Sequence, residues 1–199
     1  MRKLSFLFIT VGLALLAYGG YQWYETENAQ KESMVEAQAL LDSNAYSTIE
    51  NDSELSKPPD DFNPEAGETV GLLHIPKLES DLPIVEGTHE DELAKGVGHY
   101  AGTAYPLQDD QIVLSGHRDT VFRRMGELEI GDILTMKMPY GDFSYEITGT
   151  QIVDADDRTI IVPHDEEVLT LTTCYPFSFI GSAPDRYIIT AIPITETEN

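Results

Sequence analysis

The chain has 199 residues, room for one ordinary domain plus an appendage, and its 41% hydrophobic content suits a packed core rather than disorder. A formal net charge of -23 with only 12 Lys and Arg residues would repel phosphate backbones, which argues against nucleic acid as a partner. The single cysteine, Cys174, excludes an internal disulfide framework and is either a small buried hydrophobe or a reactive thiol.

Arg2 and Lys3 precede an uncharged stretch, Leu4 to Tyr24, long enough as a helix to cross a hydrocarbon core of about 30 Å. The basic flank predicts a cytoplasmic N-terminus (1–3), a transmembrane signal-anchor helix (4–24) and everything beyond Glu25 outside, with Tyr18, Tyr21, Trp23 and Tyr24 near the outer interface. The run is long for a cleaved signal peptide, and the small residues Ala14 and Ala17 make a poor cleavage site. Residues 25–66 are polar and acidic and read as an extracellular stalk, with a short helix over Lys31 to Leu41 and turn residues with the Pro58-Pro59 pair between Asp42 and Asp61.

From Thr69 the pattern changes to short apolar runs separated by Gly, Pro and Asp, the sign of an all-β sandwich or barrel over residues 67–195, with a polar tail at 196–199. Strands are predicted at Val70 to Ile75, Leu82 to Val85, Gln111 to Ser115, Ile133 to Met138, Phe143 to Val153, Val168 to Thr173 and Tyr187 to Pro193. Asp91 to Lys95 and Val121 to Glu127 read as short helical turns, the second capped by Asp119 or Thr120.

The run from Glu167 to Cys174 alternates as a strand and delivers the thiol at its end, before Tyr175-Pro176 stops the ladder. A nucleophilic thiol needs a base or cation beside it. His117, after the apolar strand Gln111 to Ser115 and Gly116, is one candidate base; His99 is its rival, while His74 lies in a strand pattern and His89 and His164 sit among acids. Arg186 opens the last strand, a loop away from Cys174, where a guanidinium could hold an oxyanion or a peptide backbone; a pair with Asp185 is the plain alternative. Arg118, Arg123 and Arg124 are further candidates.

Thr170-Leu171-Thr172-Thr173-Cys174 resembles the nucleophile motif of the sortases, written TLxTC in that family, and Gly116-His117 and Arg186 fall in the family's His, Cys, Arg order. The similarity runs from about Val70 to Pro193 and includes Ile75-Pro76-Lys77, Gly87-Thr88, Gly98-His99-Tyr100 and Gly131-Asp132. Cys174-Tyr175-Pro176-Phe177 and Ala183-Pro184-Asp185-Arg186-Tyr187 look most like class D. The resemblance implies an eight-stranded β-barrel with short helices, and a Gram-positive, membrane-anchored cysteine transpeptidase with its catalytic domain extracellular. It further implies Cys174 as nucleophile, His117 for proton transfer and Arg186 for oxyanion or substrate stabilisation. The implied partners are exported proteins with a C-terminal Leu-Pro-x-Thr-Gly or Leu-Pro-x-Thr-Ala signal and an amine acceptor of a peptidoglycan precursor.

Two positions depart from the pattern. Leu107 follows Pro106 where the family would have glycine. Asp61-Phe62 lacks the proline of the Asp-Pro-aromatic lid of pilus-polymerising class C enzymes, and no C-terminal hydrophobic anchor is expected, so cell-wall anchoring is favoured over pilus assembly. Acidic loops at Asp154, Asp156, Asp157 and at Asp165, Glu166, Glu167 do not reproduce a twelve-residue calcium loop, and no metal or cofactor is expected. The competing functions are an extracellular cysteine peptidase and a non-enzymatic adhesion domain with an inert Cys174.

Overall fold

Alternating and continuous β-branched runs form strands wherever a face can be buried. The computed structural model describes residues 2–43, 58, 59, 62–178, 181 and 183–194. The eight strands are β1 (Thr69–Ile75), β2 (Ser80–Glu86), β3 (Val97–His99), β4 (Gln111–Ser115), β5 (Ile133–Met138), β6 (Gly141–Asp154), β7 (Val168–Tyr175) and β8 (Asp185–Pro193). They close a barrel in the order β1-β2-β3-β4-β7-β8-β6-β5. Closure is made by β5 against β1, with Leu72 opposite Lys137 and His74 opposite Thr135. Gly71 sits at the β1 irregularity, where a Cβ would lie 2.4 Å from the Lys137 carbonyl oxygen.

All seven predicted strands form, five of them extended by one or two residues at one or both ends. The eighth, β3, is only three residues and pairs parallel with β2 and antiparallel with β4. Inward-facing residues such as Leu73, Ile84, Ile112, Leu114, Leu134, Met136, Tyr145, Leu169, Leu171 and Ile189 fill the interior. Removing one of these large side chains would cost about 2–5 kcal/mol.

The predicted helix at Asp91 appears as α2 (Glu90–Lys95), with His89 and Glu92 forming a reciprocal capping box. The second predicted turn is different: only Met125–Glu127 are helical, as a 3-10 turn following hydrogen-bonded turns. Arg124 occupies the cap position but its side chain does not cap the turn, and Asp119 instead accepts from Arg118, so neither expected residue is the cap.

The apolar N-terminal run belongs to one helix, α1 (Arg2–Asp42), about 60 Å long at 1.5 Å per residue. Its apolar half is exposed and long enough to cross a membrane. The short helix expected at Lys31 to Leu41 is the last part of α1. There Ser33 and Ala37 are buried, and Glu36 accepts a hydrogen bond from Thr69 at the start of β1. Small residues four apart let the helix lie close to the barrel. The remaining stalk residues, 44–57 with 60 and 61, and the tail beyond Ile194 lie outside the described residues.

Leu107 takes the left-handed conformation, φ 76, that glycine adopts without cost. The turn is therefore kept with a leucine in it. Its N–H donates to Glu167 at 2.6 Å, and the other Glu167 oxygen accepts from the Tyr145 hydroxyl at 2.7 Å. Phe62 packs edge-on against Tyr105 and Tyr140, each at 5.0 Å.

Candidate active site

Strands β4 and β7 run parallel, with Gln111 opposite Val168 and Ser115 opposite Thr172. The two chains keep step past the last pair: the Gly116 N–H donates to the Thr172 carbonyl at 3.1 Å, and the Thr173 hydroxyl donates to the Gly116 carbonyl at 2.7 Å. Two residues beyond Ser115–Thr172, His117 comes level with Cys174. On the other side of β7, Cys174 stands directly opposite Arg186 of antiparallel β8. Three sequence-distant residues thus form one row across the adjacent strand ends.

Alternation fixes the face. Leu169 and Leu171 of β7, and their β8 partners Ala191 and Ile189, belong to the core. Cys174 is an odd number of residues from each leucine, and Arg186 from each β8 core residue, so both lie on the outer face of the barrel. Directly opposed residues place their Cβ atoms about 5 Å apart. Continuing the β4 alternation through Gly116 puts His117 on that face too. All three side chains are half-buried, and among the described residues neither the His117 ring nor the Cys174 thiol makes a hydrogen bond. Gly116 is required beneath this row, because a Cβ there would meet the Phe122 ring at 2.5 Å.

Arg186 donates from Nη1 to the backbone carbonyls of Ala183, at 3.4 Å, and Asp185, at 3.0 Å. Among the described residues it forms no ion pair with the Asp185 carboxylate, and Nε and Nη2 have no acceptor. The fork is held at one end and open at the other.

The rival histidine is elsewhere. His99 is 1% exposed and opposite the core residue Leu114, so it points inward. Its Nδ1 lies 2.6 Å from a Glu86 carboxylate oxygen and its Nε2 lies 2.9 Å from the Ala104 carbonyl, with its ring stacked on Tyr105 at 4.0 Å. Burial pushes the Glu86 carboxyl up, but hydrogen bonds from His99 and Tyr105 outweigh it and hold the group below the usual carboxylate range. Burial and the neighbouring Glu86 push the Tyr105 hydroxyl well up. His74 pairs with Asp81 at 2.7 Å, His89 caps α2, and the His164 N–H donates to Asp110.

Of the other arginines, Arg124 is engaged by Glu127 and the Leu78 carbonyl. Arg118, buried to 5% exposure, donates to the Pro176 carbonyl at 2.9 Å and the Gly181 carbonyl at 3.4 Å. It straps the loop after Cys174 to the segment after His117. In the sequence Arg118 reads only as a spare cation; its position beside His117 is the available signal for a structural strap.

Away from the row, the outer face of β7 and β8 continues as a cleft of about 190 Å³. Thr170, Ile188 and Thr190 form the floor, and the β6–β7 loop covers it with Thr159, Ile160, Val162 and His164. Several of the acidic side chains considered above as metal ligands are engaged in this loop and beside it. Asp154 accepts from the Asp156 N–H, Asp157 from the Thr159 N–H and hydroxyl, and Glu167 from Leu107 and Tyr145.

The Sortase domain family model matches residues 73–194. Sortase D of Bacillus subtilis (strain 168) is 50% identical over 192 residues, covering 95% of this chain and 97% of that protein. The solved catalytic domain of Bacillus anthracis SrtD is 44% identical, with a TM-score of 0.58, covering 70% of this chain and 97% of the other. A structure of Clostridium perfringens sortase C with the C-terminal cell wall sorting motif is 25% identical, with a TM-score of 0.61, covering 86% and 90%. With a family match over more than half its length, a relative of near-equal length at 50% identity and the barrel that carries the Cys174 row, this chain belongs to the sortase family and is a cysteine transpeptidase.

Proposed function

We propose that Cys174 is the nucleophile, His117 the proton-transfer group and Arg186 the oxyanion and peptide donor of a class D sortase that anchors exported proteins to the cell wall. The observation that carries this is the direct pairing of Cys174 with Arg186 between β7 and β8, with His117 two residues past the last β4–β7 pair and on the same outer face by alternation. The Cys174 sulfur, its proton taken by His117, attacks the threonine carbonyl of a sorting signal, and the developing oxyanion accepts hydrogen bonds from the free end of Arg186. As the tetrahedral adduct collapses, the C–N bond breaks and His117 delivers a proton to the departing amine. An incoming amine then attacks the thioester and His117 accepts its proton; as the new amide forms the C–S bond breaks, and His117 returns that proton to the Cys174 sulfur.

The cleft supports an extended peptide. At about 3.3 Å per strand residue, Thr172 and Thr170 lie about 7 and 13 Å along the strand from Cys174. The leucine of a Leu-Pro-x-Thr signal, three residues before the reacting carbonyl, falls about 10 Å away, at the mouth of the cleft beside Ile188. The aromatic cluster of Tyr175, Phe177 and Tyr187 lies on the inner face, Phe177 and Tyr187 packed against the core, and supports from behind the loop that follows Cys174. The Leu4 to Tyr24 part of α1 anchors the chain in the membrane, with Arg2 and Lys3 cytoplasmic and the barrel extracellular. Docking of Ser33 and Ala37 keeps the barrel close to the bilayer, where lipid-linked wall precursors and their amines are met.

The test is product partitioning. Enzyme, a sorting-signal peptide and an amine such as triglycine or diaminopimelate should yield amide in place of free acid. Free acid alone across a broad amine panel would replace this reading by a peptidase.

A further inference from the structure

We propose that Gln111 is a positioning residue for peptide binding, its buried amide latching residues 160–162 as a roof over the cleft on the outer face of β7 and β8. The inference rests on the reading that this cleft takes the substrate peptide.

Gln111 opens β4 and is 5% exposed. A buried primary amide must place two donors and an acceptor. Here Nε2 donates to the Ile160 carbonyl at 2.9 Å and approaches the Thr170 hydroxyl at 2.9 Å, while Oε1 accepts from the Val162 N–H at 3.1 Å. One side chain therefore joins the backbone of the β6–β7 loop to a floor residue of the cleft. Its neighbour Asp110 adds a second tether, accepting from the His164 N–H at 2.7 Å.

The loop has little else at this point to hold it. Ile161 and Val162 are 38% and 42% exposed and stand outside the core, so packing holds this part of the loop only in part. A roof without tethers would have to be ordered by the incoming peptide, at the expense of affinity. Both the length and the chemistry of the amide suit this latch, since asparagine is one methylene shorter and a glutamate would face the Ile160 carbonyl with a second acceptor. Thr170 lies on the same strand and face as Cys174, four residues away, so the latch fixes the far end of the same rail. Gln111 touches neither the thiol nor its row, and its effect belongs to binding rather than to bond making.

The experiment uses the full chain in detergent micelles and a fluorescent Leu-Pro-x-Thr-Gly peptide. In the Cys174→Ala background, peptide protection of the amides from Ile160 to His164 is read by hydrogen exchange, and Kd by anisotropy. Gln111→Met, similar in size and without the hydrogen bonds, should weaken Kd about tenfold through loss of pre-organisation and speed exchange at Val162. With Cys174 present it should raise KM in step while kcat at saturating peptide stays within about twofold of the parent. Val162→Pro removes the same N–H from the exposed loop side, leaves the barrel intact, and should reproduce the effect; it decides the matter if Gln111→Met does not fold. Protection by peptide with Kd and KM unchanged in the variants, or a fall in kcat with KM unchanged, overturns the latch alone. No protection from Ile160 to His164 overturns the cleft reading and the latch with it.

Discussion

Replacing Glu86 by glutamine separates the two histidines that compete for the catalytic role. Glu86 accepts from both His99 and the Tyr105 hydroxyl, deep under β3 and β4. Hydrogen bonds to a charged group are worth about 1.5–3 kcal/mol each, and the Glu86 carboxylate is engaged in two. Glutamine keeps one acceptor, so the loss for Glu86→Gln lies near the low end, about 3 kcal/mol, or about 10 °C in Tm for a domain of this size. Because the folded-state pKa of Glu86 is depressed, its contribution is fully present above the unfolded value and is lost as pH falls through the folded one. Thermal melts followed by near-ultraviolet circular dichroism should show a constant gap between wild type and variant from neutrality to about pH 5, closing in more acid solution. At a temperature where the variant is folded, transpeptidation should stay within about threefold of wild type. Loss of activity with unchanged Tm would refute the structural role of the Glu86–His99 pair and restore His99 as the base.

Arg118→Lys removes a fork that a point charge cannot replace and should cost about 2 kcal/mol of stability by urea titration; it should also lower turnover, because the loop after Cys174 loses its strap, and an unchanged melt would show the strap to be idle. Gly116→Ala drives a methyl into the Phe122 ring and should destabilise the chain by about 1–3 kcal/mol while displacing His117, read as a fall in kcat greater than any rise in KM. In cells the protein should remain in membranes after carbonate washing, with its barrel open to protease added outside; a shortened soluble form beginning near Tyr18 would show a cleaved leader.

Much of the fold was legible because the period-2 runs are strong. Gln111 to Ser115 and Ile133 to Met138 have the same limits in the sequence pattern and in the structure. The strand β3 has no legible pattern because three residues, one a glycine, carry no period, and its pairing is imposed by its neighbours. The continuity of α1 is hidden for a related reason. Beyond Glu25 the helix is polar, and the small Ser33 and Ala37 that dock it give no apolar stripe to read. For the site, the residue types and their order pointed to Cys174, His117 and Arg186, and the register that lines them up is a property of strand pairing alone. The positions of His99 and His117 differ by face rather than by local sequence, which is why the local pattern left both open. Gln111 and Arg118 carry no motif; Arg118 has a local partner in Asp119, but the backbone groups that the two side chains hold lie 49 or more residues away along the chain.

The central claim is tested most directly by the mass of the protein after brief incubation with a Leu-Pro-x-Thr-Gly peptide. Wild type should gain the acyl fragment on Cys174 as a hydroxylamine-sensitive thioester, and Cys174→Ala should gain nothing. Adduct formation should slow by roughly 100-fold or more in His117→Ala and in Arg186→Ala, as for loss of a proton-transfer or oxyanion group. His99→Ala, corrected for its folded fraction, should acylate at close to the wild-type rate. An adduct that persists in Cys174→Ala, or His117→Ala acylating faster than His99→Ala, would contradict the account.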